Sequence, residues 1–322
     1  MAAAGVAPGS AQTETTTAPR NAYRSEYASP MRRREALAGY VAILPWLLGF
    51  LVFSLGPVVA SFLLMFTKWE VLTPPLWTGL VNIRRMLADP LVGKSLFNTL
   101  FYTVLSVPLN IVAALFAASL LNVGVKGSNV FRAIIYLPSQ MPAVASAILW
   151  FFIFSPTYGL ANDLLGIFGI PAQKWLWDVH LVKPSLVLVA VWSFGNAMII
   201  FLAGLQGIPQ ALYEAADIDG AKARHRFRYI TLPMLSPVIF FNLVISIIGS
   251  FQVFTNVLIM TNGEPANASL MLVLYIYRSA FQNFKMGYAS LLSWVLLILV
   301  LVLTLIQFRF SRSWVYYEGE KR

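Results

Sequence analysis

Apolar residues in this chain gather into six long blocks separated by polar segments, near 37–66, 97–121, 133–154, 185–205, 234–260 and 286–308. Each block is long enough to cross a bilayer as a helix, which takes about 20 mostly apolar residues. The two longest blocks predict tilt, kinks or helical extension into the interface. Pro45 and Pro57 in the first block, Pro108 in the second and Pro142 in the third are the expected kink points. Membrane helices tolerate proline because neighbouring groups satisfy the carbonyls it frees. The fold class expected is therefore all-α integral membrane, with six transmembrane helices.

Every charged side chain falls outside these blocks, and the 23 Lys and Arg residues divide unevenly between the two sides. One side carries Arg20, Arg24, Arg32, Arg33, Arg34, Lys126, Arg132, Lys222, Arg224, Arg226, Arg228, Arg309, Arg312, Lys321 and Arg322. The other carries only Lys68, Arg84, Arg85, Lys94, Lys174, Lys183, Arg278 and Lys285. The richer side is expected to face the cytoplasm. That makes the chain a multi-pass protein of the plasma (inner) membrane with both termini cytoplasmic. The formal charge of +10 is then a matter of topology and contact with membrane lipid, and no nucleic-acid partner is expected. Residues 1–35 read as a disordered cytoplasmic tail, 36–310 as the six-helix domain and 311–322 as a second cytoplasmic tail. The apolar run after Arg32-Arg33-Arg34 is too long for a signal peptide and reads as an uncleaved first span.

Composition narrows the function. Hydrophobic residues make up 58% of the chain and charged residues 11%, against about 25% charged in soluble domains. There is no cysteine, and the only histidines are His180 and His225, so no metal site is expected. Proton-coupled carriers place Asp, Glu or His inside the membrane, and voltage sensors place Arg there. These blocks hold neither. No phosphate-binding G-x-x-x-x-G-K-[ST] loop occurs, nor a hydrolase elbow or zinc-protease helix. An intramembrane enzyme is the rival of a different class, resting on Asp163, Asp178 and His180 in one loop. Isolated loop charges are more often solvated or structural, so no catalytic residue is assigned. What crosses is expected to be neutral, with its energy supplied from elsewhere.

One segment stands apart. Between the fourth and fifth blocks, at about 208–233, lies a charged island. Pro209 suits the first position of a helix, and Glu214 near its start complements the dipole. Ala215 and Ala216 are small enough for another surface to approach. Asp217 and Asp219 follow, and Gly220 is placed to turn the backbone. A second, basic helix is expected from Ala221 to about Ile230, ended by Thr231-Leu232-Pro233.

Glu214-Ala215-Ala216-x-x-x-Gly220, with Ile230-Thr231-Leu232-Pro233 and Pro237 downstream, resembles the EAA loop of permease subunits in binding-protein-dependent ABC importers. The resemblance extends over nearly the whole chain. Trp77-Thr78-Gly79-Leu80-Val81-Asn82-Ile83 with Asn98-Thr99-Leu100, Thr261–Asn267, and Met286-Gly287-Tyr288-Ala289-Ser290 are similar to segments of the maltose/lactose/glycerol-phosphate permease group. Glu264 departs from it, standing where the group usually has glycine.

The resemblance implies a permease subunit of a carbohydrate importer, or of one for glycerol-3-phosphate or a polyol. It binds no cofactor itself, and ATP is hydrolysed by partner subunits. Those partners are two cytoplasmic ABC ATPases, a second homologous permease and an extracytoplasmic solute-binding protein. Glu214, Ala215, Ala216, Asp217, Asp219 and Gly220 are the implied ATPase-coupling residues. A neutral sugar calls for hydroxyl, amide and aromatic partners. The fifth block supplies Asn242, Ser246, Ser250, Phe251, Gln252, Phe254 and Asn256, with Ser246 and Ser250 one turn apart on one face. Gln140, Trp192 and Asn196 are secondary candidates. Hydrogen bonding between helices is the alternative use for such residues.

Overall fold

A computed structural model describes residues 30–123 and 127–316. Most of both expected tails lies outside the described residues. The chain divides into two compact units, 1–60 and 61–322. The described part of the first is helical, with α1 at Pro30–Phe50, a π-helical turn at Leu51–Leu55 and the start of α2, Gly56–Leu64. Helix α1 thus begins inside the tail expected over 1–35. The wide turn has a local cause. Pro57 has no N–H and its ring crowds the preceding turn, and the Gly56 N–H reaches back five residues to the Leu51 carbonyl. Pro45 causes no such interruption in α1.

The second unit opens with a short antiparallel hairpin, β1 (Thr67–Lys68) and β2 (Leu76–Trp77), with Thr67 opposite Trp77. Helix α3 (Val81–Ala88) leads into α4 (Pro90–Asn122), the second span. Pro108 lies within α4 without dividing it. The third expected span is instead two helices, α5 (Ser128–Gln140) and α6 (Ala143–Ile153), bent by 97°. Met141 explains the break: a residue before proline is pushed out of the helical region, and Met141 is extended, with ψ 136°. Helix α7 (Leu160–Ile167) precedes the fourth span, which is also a bent pair, α8 (Val182–Trp192) and α9 (Gly195–Gln206), at 45°.

Helix α10 (Gln210–Ile218) belongs to the charged island. Helix α11 (Ala223–Arg226), a π-turn at Phe227–Thr231 and α12 (Leu232–Phe251) then run on without interruption. After a break at 252–254 come α13 (Thr255–Met260), α14 (Leu272–Tyr277), a π-turn and the last span, α15 (Met286–Ser311). Among the described residues four helices are long and apolar enough to cross a membrane, or up to six spans if each bent pair counts as one. The core between α4, α9 and α12 joins Ala114, Ala117 and Ala118 to Met198, Phe201 and Leu235. Small residues on α4 let the backbones close in, as membrane helices require when lipid supplies no hydrophobic drive.

Candidate functional site

The charged island folds as a braced hook. Pro209 stands just ahead of α10, one residue earlier than expected. At the other end the Ala221 N–H donates to the Ala216 carbonyl at 2.9 Å and the Gly220 N–H to the Asp217 carbonyl at 3.1 Å. Gly220 adopts φ +72°, the left-handed conformation that a glycine C-cap supplies. The chain reverses, and the Arg226 guanidinium pairs with the Asp217 carboxylate. The Tyr213 and Thr231 hydroxyls meet at 3.0 Å. Tyr213 and Ala216, three residues apart, face inward, while Glu214, Ala215, Asp219 and Gly220 are exposed. Ile218 is 88% exposed, an apolar tip beside them. Asp217, grouped with the docking residues by sequence, here closes the hook upon itself.

The basic arm departs from expectation. Thr231-Leu232-Pro233 does not end a separate helix; the arm and the fifth span are one continuous helix. The π-turn is the physical reason, because the Leu232 N–H bonds back to the Phe227 carbonyl, and the widened turn makes room for the Pro233 ring.

The polar residues of the fifth span do not form a single lining. Ser246 and Ser250 share a cavity of about 210 Å³ with Tyr102, Ser106 and Asn110 of α4. The Ser250 hydroxyl also lies 2.9 Å from that of Thr103. Gln252 opens instead on a groove with Ser293 and Thr304 of α15. Asn242 is buried and donates to the Val238 carbonyl of its own helix at 2.9 Å. Phe251 is core. Beyond the helix break, Phe254 sits against Tyr277, and the Asn256 amide oxygen is buried without a hydrogen-bond partner among the described residues. Of the secondary candidates, Gln140 donates to Asn196 Oδ1 at 3.2 Å beside Ser139, at the 97° bend. Trp192 packs edge-on against Trp150, on an apolar cavity of about 550 Å³. Sequence reasoning missed Tyr102, Ser106 and Asn110, although their spacing of four along an apolar helix marks one face.

A third cluster gathers the remaining segments that the resemblance rested on. Asn82 Nδ2 donates to the Met65 and Thr67 carbonyls, both at 2.9 Å. Asn98 Nδ2 donates to the Asn267 and Leu270 carbonyls at 3.0 and 3.1 Å. The Thr99 hydroxyl accepts from the Leu272 N–H at 3.0 Å, and Lys94 donates to the Ala266 carbonyl at 2.6 Å. A Cβ on Gly287 would stand 2.0 Å from the Thr67 carbonyl oxygen, so the last span meets the hairpin only because that residue is glycine. Asp89 accepts from the Tyr275 and Tyr288 hydroxyls. Burial pulls the Asp89 carboxyl upward, but these two bonds, the Leu91 N–H and the Arg85 charge outweigh it and hold the group below its ordinary value. Tyr275, buried and bonded to that carboxylate, is pushed up to about 12. Glu264 contributes only backbone groups: its N–H donates to the Thr261 carbonyl at 2.9 Å and its carbonyl accepts from Ser269 at 2.7 Å, while its side chain is exposed.

The rival enzyme reading finds no assembled site. Asp178 Oδ1 accepts from the backbone N–H groups of His180 and Leu181, which is a turn-capping role. Asp163 lies in the first turn of α7. Among the described residues no three His, Cys, Asp or Glu side chains gather as metal ligands would.

Residues 110–315 match the model of the family described as binding-protein-dependent transport system inner membrane component. The chain belongs to that family. It is an all-α permease of the inner membrane, and the family is one of transport subunits rather than enzymes. Among its relatives is the probable ABC transporter permease protein YesP of Bacillus subtilis (strain 168), 44% identical over 90% of this chain and 95% of YesP. The lactose transport system permease protein LacF of Rhizobium radiobacter is 36% identical over 88% of this chain and 97% of LacF. Among solved structures, a bacterial alginate ABC transporter in complex with an alginate pentasaccharide-bound periplasmic protein contains a similar chain. It is 25% identical, with a TM-score of 0.76, covering 89% of this permease and 98% of that chain.

Proposed function

We propose that this permease carries a carbohydrate inward across the plasma membrane, in a pathway formed with a second, homologous permease. Two cytoplasmic ATPases dock on the hooks of the pair, and an external binding protein delivers the sugar. Glu214, Ala215 and the Ile218 tip form the docking face; Asp217 and Gly220 hold its shape. The observation that carries this reading is the hook itself, exposed at its tip, braced from within and continuous with the fifth span. ATP-driven closure of the ATPases would then move the span as a rigid body. The uneven Lys and Arg distribution supports a cytoplasmic hook, and the relatives named for lactose and alginate support a sugar as cargo.

The test is reconstitution of the permease with its partner permease and ATPases in vesicles. ATP inside, and a sugar-loaded binding protein outside, should drive uptake of radiolabelled sugar. The chain has no cysteine, so single Glu214→Cys and Arg224→Cys variants should be labelled only from the cytoplasmic face. Labelling of both from outside would overturn the orientation and the docking role with it.

A further inference from the structure

The segment that follows the last span turns back onto the fifth. The Val315 N–H donates to the Ser311 carbonyl at 2.8 Å, and Ser311 and Val315 are both buried. Trp314 lies edge-on to Phe240 of α12, as does Phe308 of α15. The Tyr316 N–H then donates to the Ser236 hydroxyl oxygen at 2.8 Å. That hydroxyl stands at a defect in the helix. Pro237 has no N–H to give the Pro233 carbonyl, its ordinary partner four residues back. The Ser236 hydroxyl donates to that carbonyl instead, at 2.6 Å, a side-chain repair of the kind that lets membrane helices carry proline. Pro233 itself lies directly after the π-turn. Two prolines four residues apart thus sit where the hook joins the fifth span. Proline is a common cause of sharp kinks, yet the helix is continuous there.

We propose that residues 311–316 form a splint across the Pro233–Pro237 step. The Tyr316 N–H holds the Ser236 hydroxyl in the position from which it makes good the missing backbone bond. Val315 and Trp314 close the flank of the helix beside it. With the splint seated, hook and fifth span move as one body. With the splint released, the span bends at the prolines, and the movement of the hook is absorbed there. The last span, which carries the splint, is tied to the hook by the same contact. This inference rests on the coupling role proposed for the hook and adds what keeps the connection stiff.

Because the chain is free of cysteine, Arg224→Cys and Ile245→Cys place two spin labels at exposed positions on either side of the prolines. They stand about 30 Å apart along the helix, within range of pulsed EPR on the assembled transporter in lipid nanodiscs. The native distance distribution should be narrow. Tyr316→Pro removes the donated N–H. It should broaden the distribution about twofold, as a proline kink of more than about 20° would, and move the melting temperature by no more than about 4 °C. Val315→Asp puts a carboxylate in a buried position, which drives the segment off, and should broaden it equally. Adding Pro237→Ala gives the Pro233 carbonyl a backbone donor again and should restore the narrow distribution in both variants. A second pair, Val112→Cys with Ile245→Cys, reads transmission. ATP with vanadate should shift its distance in the native complex and leave it unchanged in Tyr316→Pro.

An unchanged distribution in both variants, broadening that Pro237→Ala does not reverse, a shift retained in Tyr316→Pro, or a Tyr316→Pro chain that fails to fold would each overturn the splint. If the native second pair does not respond to ATP with vanadate, the coupling reading fails on that measure. The first pair still decides whether the segment stiffens the helix.

Discussion

The hairpin assembly and the hook carry comparably distinctive sequence, yet they use it in opposite ways. Around the hairpin, Asn82, Asn98, Thr99 and Asp89 each spend their hydrogen-bonding capacity inside the chain. In the hook, Glu214, Ala215 and Ile218 are exposed, and Glu214 has no partner among the described residues. The first cluster is a scaffold whose residues are specified by what they touch here. The second presents residues that nothing in this chain requires, held in place by Asp217, Arg226 and Gly220. A motif whose side chains are satisfied within the fold reads as architecture; one left open reads as an interface.

Substitutions can break or sharpen this contrast. The largest effect is expected from Gly287→Val. Its Cβ would collide with the Thr67 backbone carbonyl, so the variant should lose about 4 kcal/mol or more of stability. Thermal unfolding in detergent checks this, and a variant that melts like the native protein would show the contact to be unimportant.

Glu214→Ala should do the reverse. Stability should stay within about 0.5 kcal/mol, while affinity for the ATPases, measured by titration of labelled complexes, should fall about tenfold or more. Equal affinity in the variant would remove the hook from the coupling mechanism.

Asp89→Asn is expected to fall between them, costing about 1 kcal/mol by weakening the bonds from Tyr275 and Tyr288. Because the Asp89 carboxyl is held below its ordinary value, its contribution is present in full above the unfolded value of about 3.9. It is lost only as pH falls through the lower folded value. The native and variant melting temperatures should therefore differ at neutral pH and converge under strong acid. Smallest is Glu264→Gly, where an exposed side chain is removed; a change within about 0.5 kcal/mol is expected. A larger loss would mean that the Glu264 side chain takes part in the scaffold.

Much of this was legible beforehand. Six apolar blocks announced the spans, and Pro142 announced the break in the third. The turn at Gly220 was readable because acidic, glycine and basic residues followed one another in order. What stayed hidden depended on backbone hydrogen bonds that skip a register. Pro57 and Pro233 look like interruptions in a string of letters, yet a π-turn absorbs each of them. The 45° bend at Ser193-Phe194 carries no proline signal at all. The polar residues of the fifth span were visible, but the faces they occupy were not. Ser246 and Gln252 are six residues apart and open on different cavities. Their complement on α4 escaped notice because Tyr, Ser and Asn scattered in an apolar run look unremarkable until a second helix is laid against them.

The unbroken helix from Ala223 to Phe251 sets a mechanical ratio. At 1.5 Å per residue, its roughly 29 residues make a lever about 43 Å long. Tilting it by about 10° around its midpoint displaces each end by about 4 Å, more than the length of a hydrogen bond. The same tilt moves Ser246 by about 2 Å and Ser250 by about 3 Å, so a small swing at the hook is enough to part the Ser250 hydroxyl from Thr103 of α4.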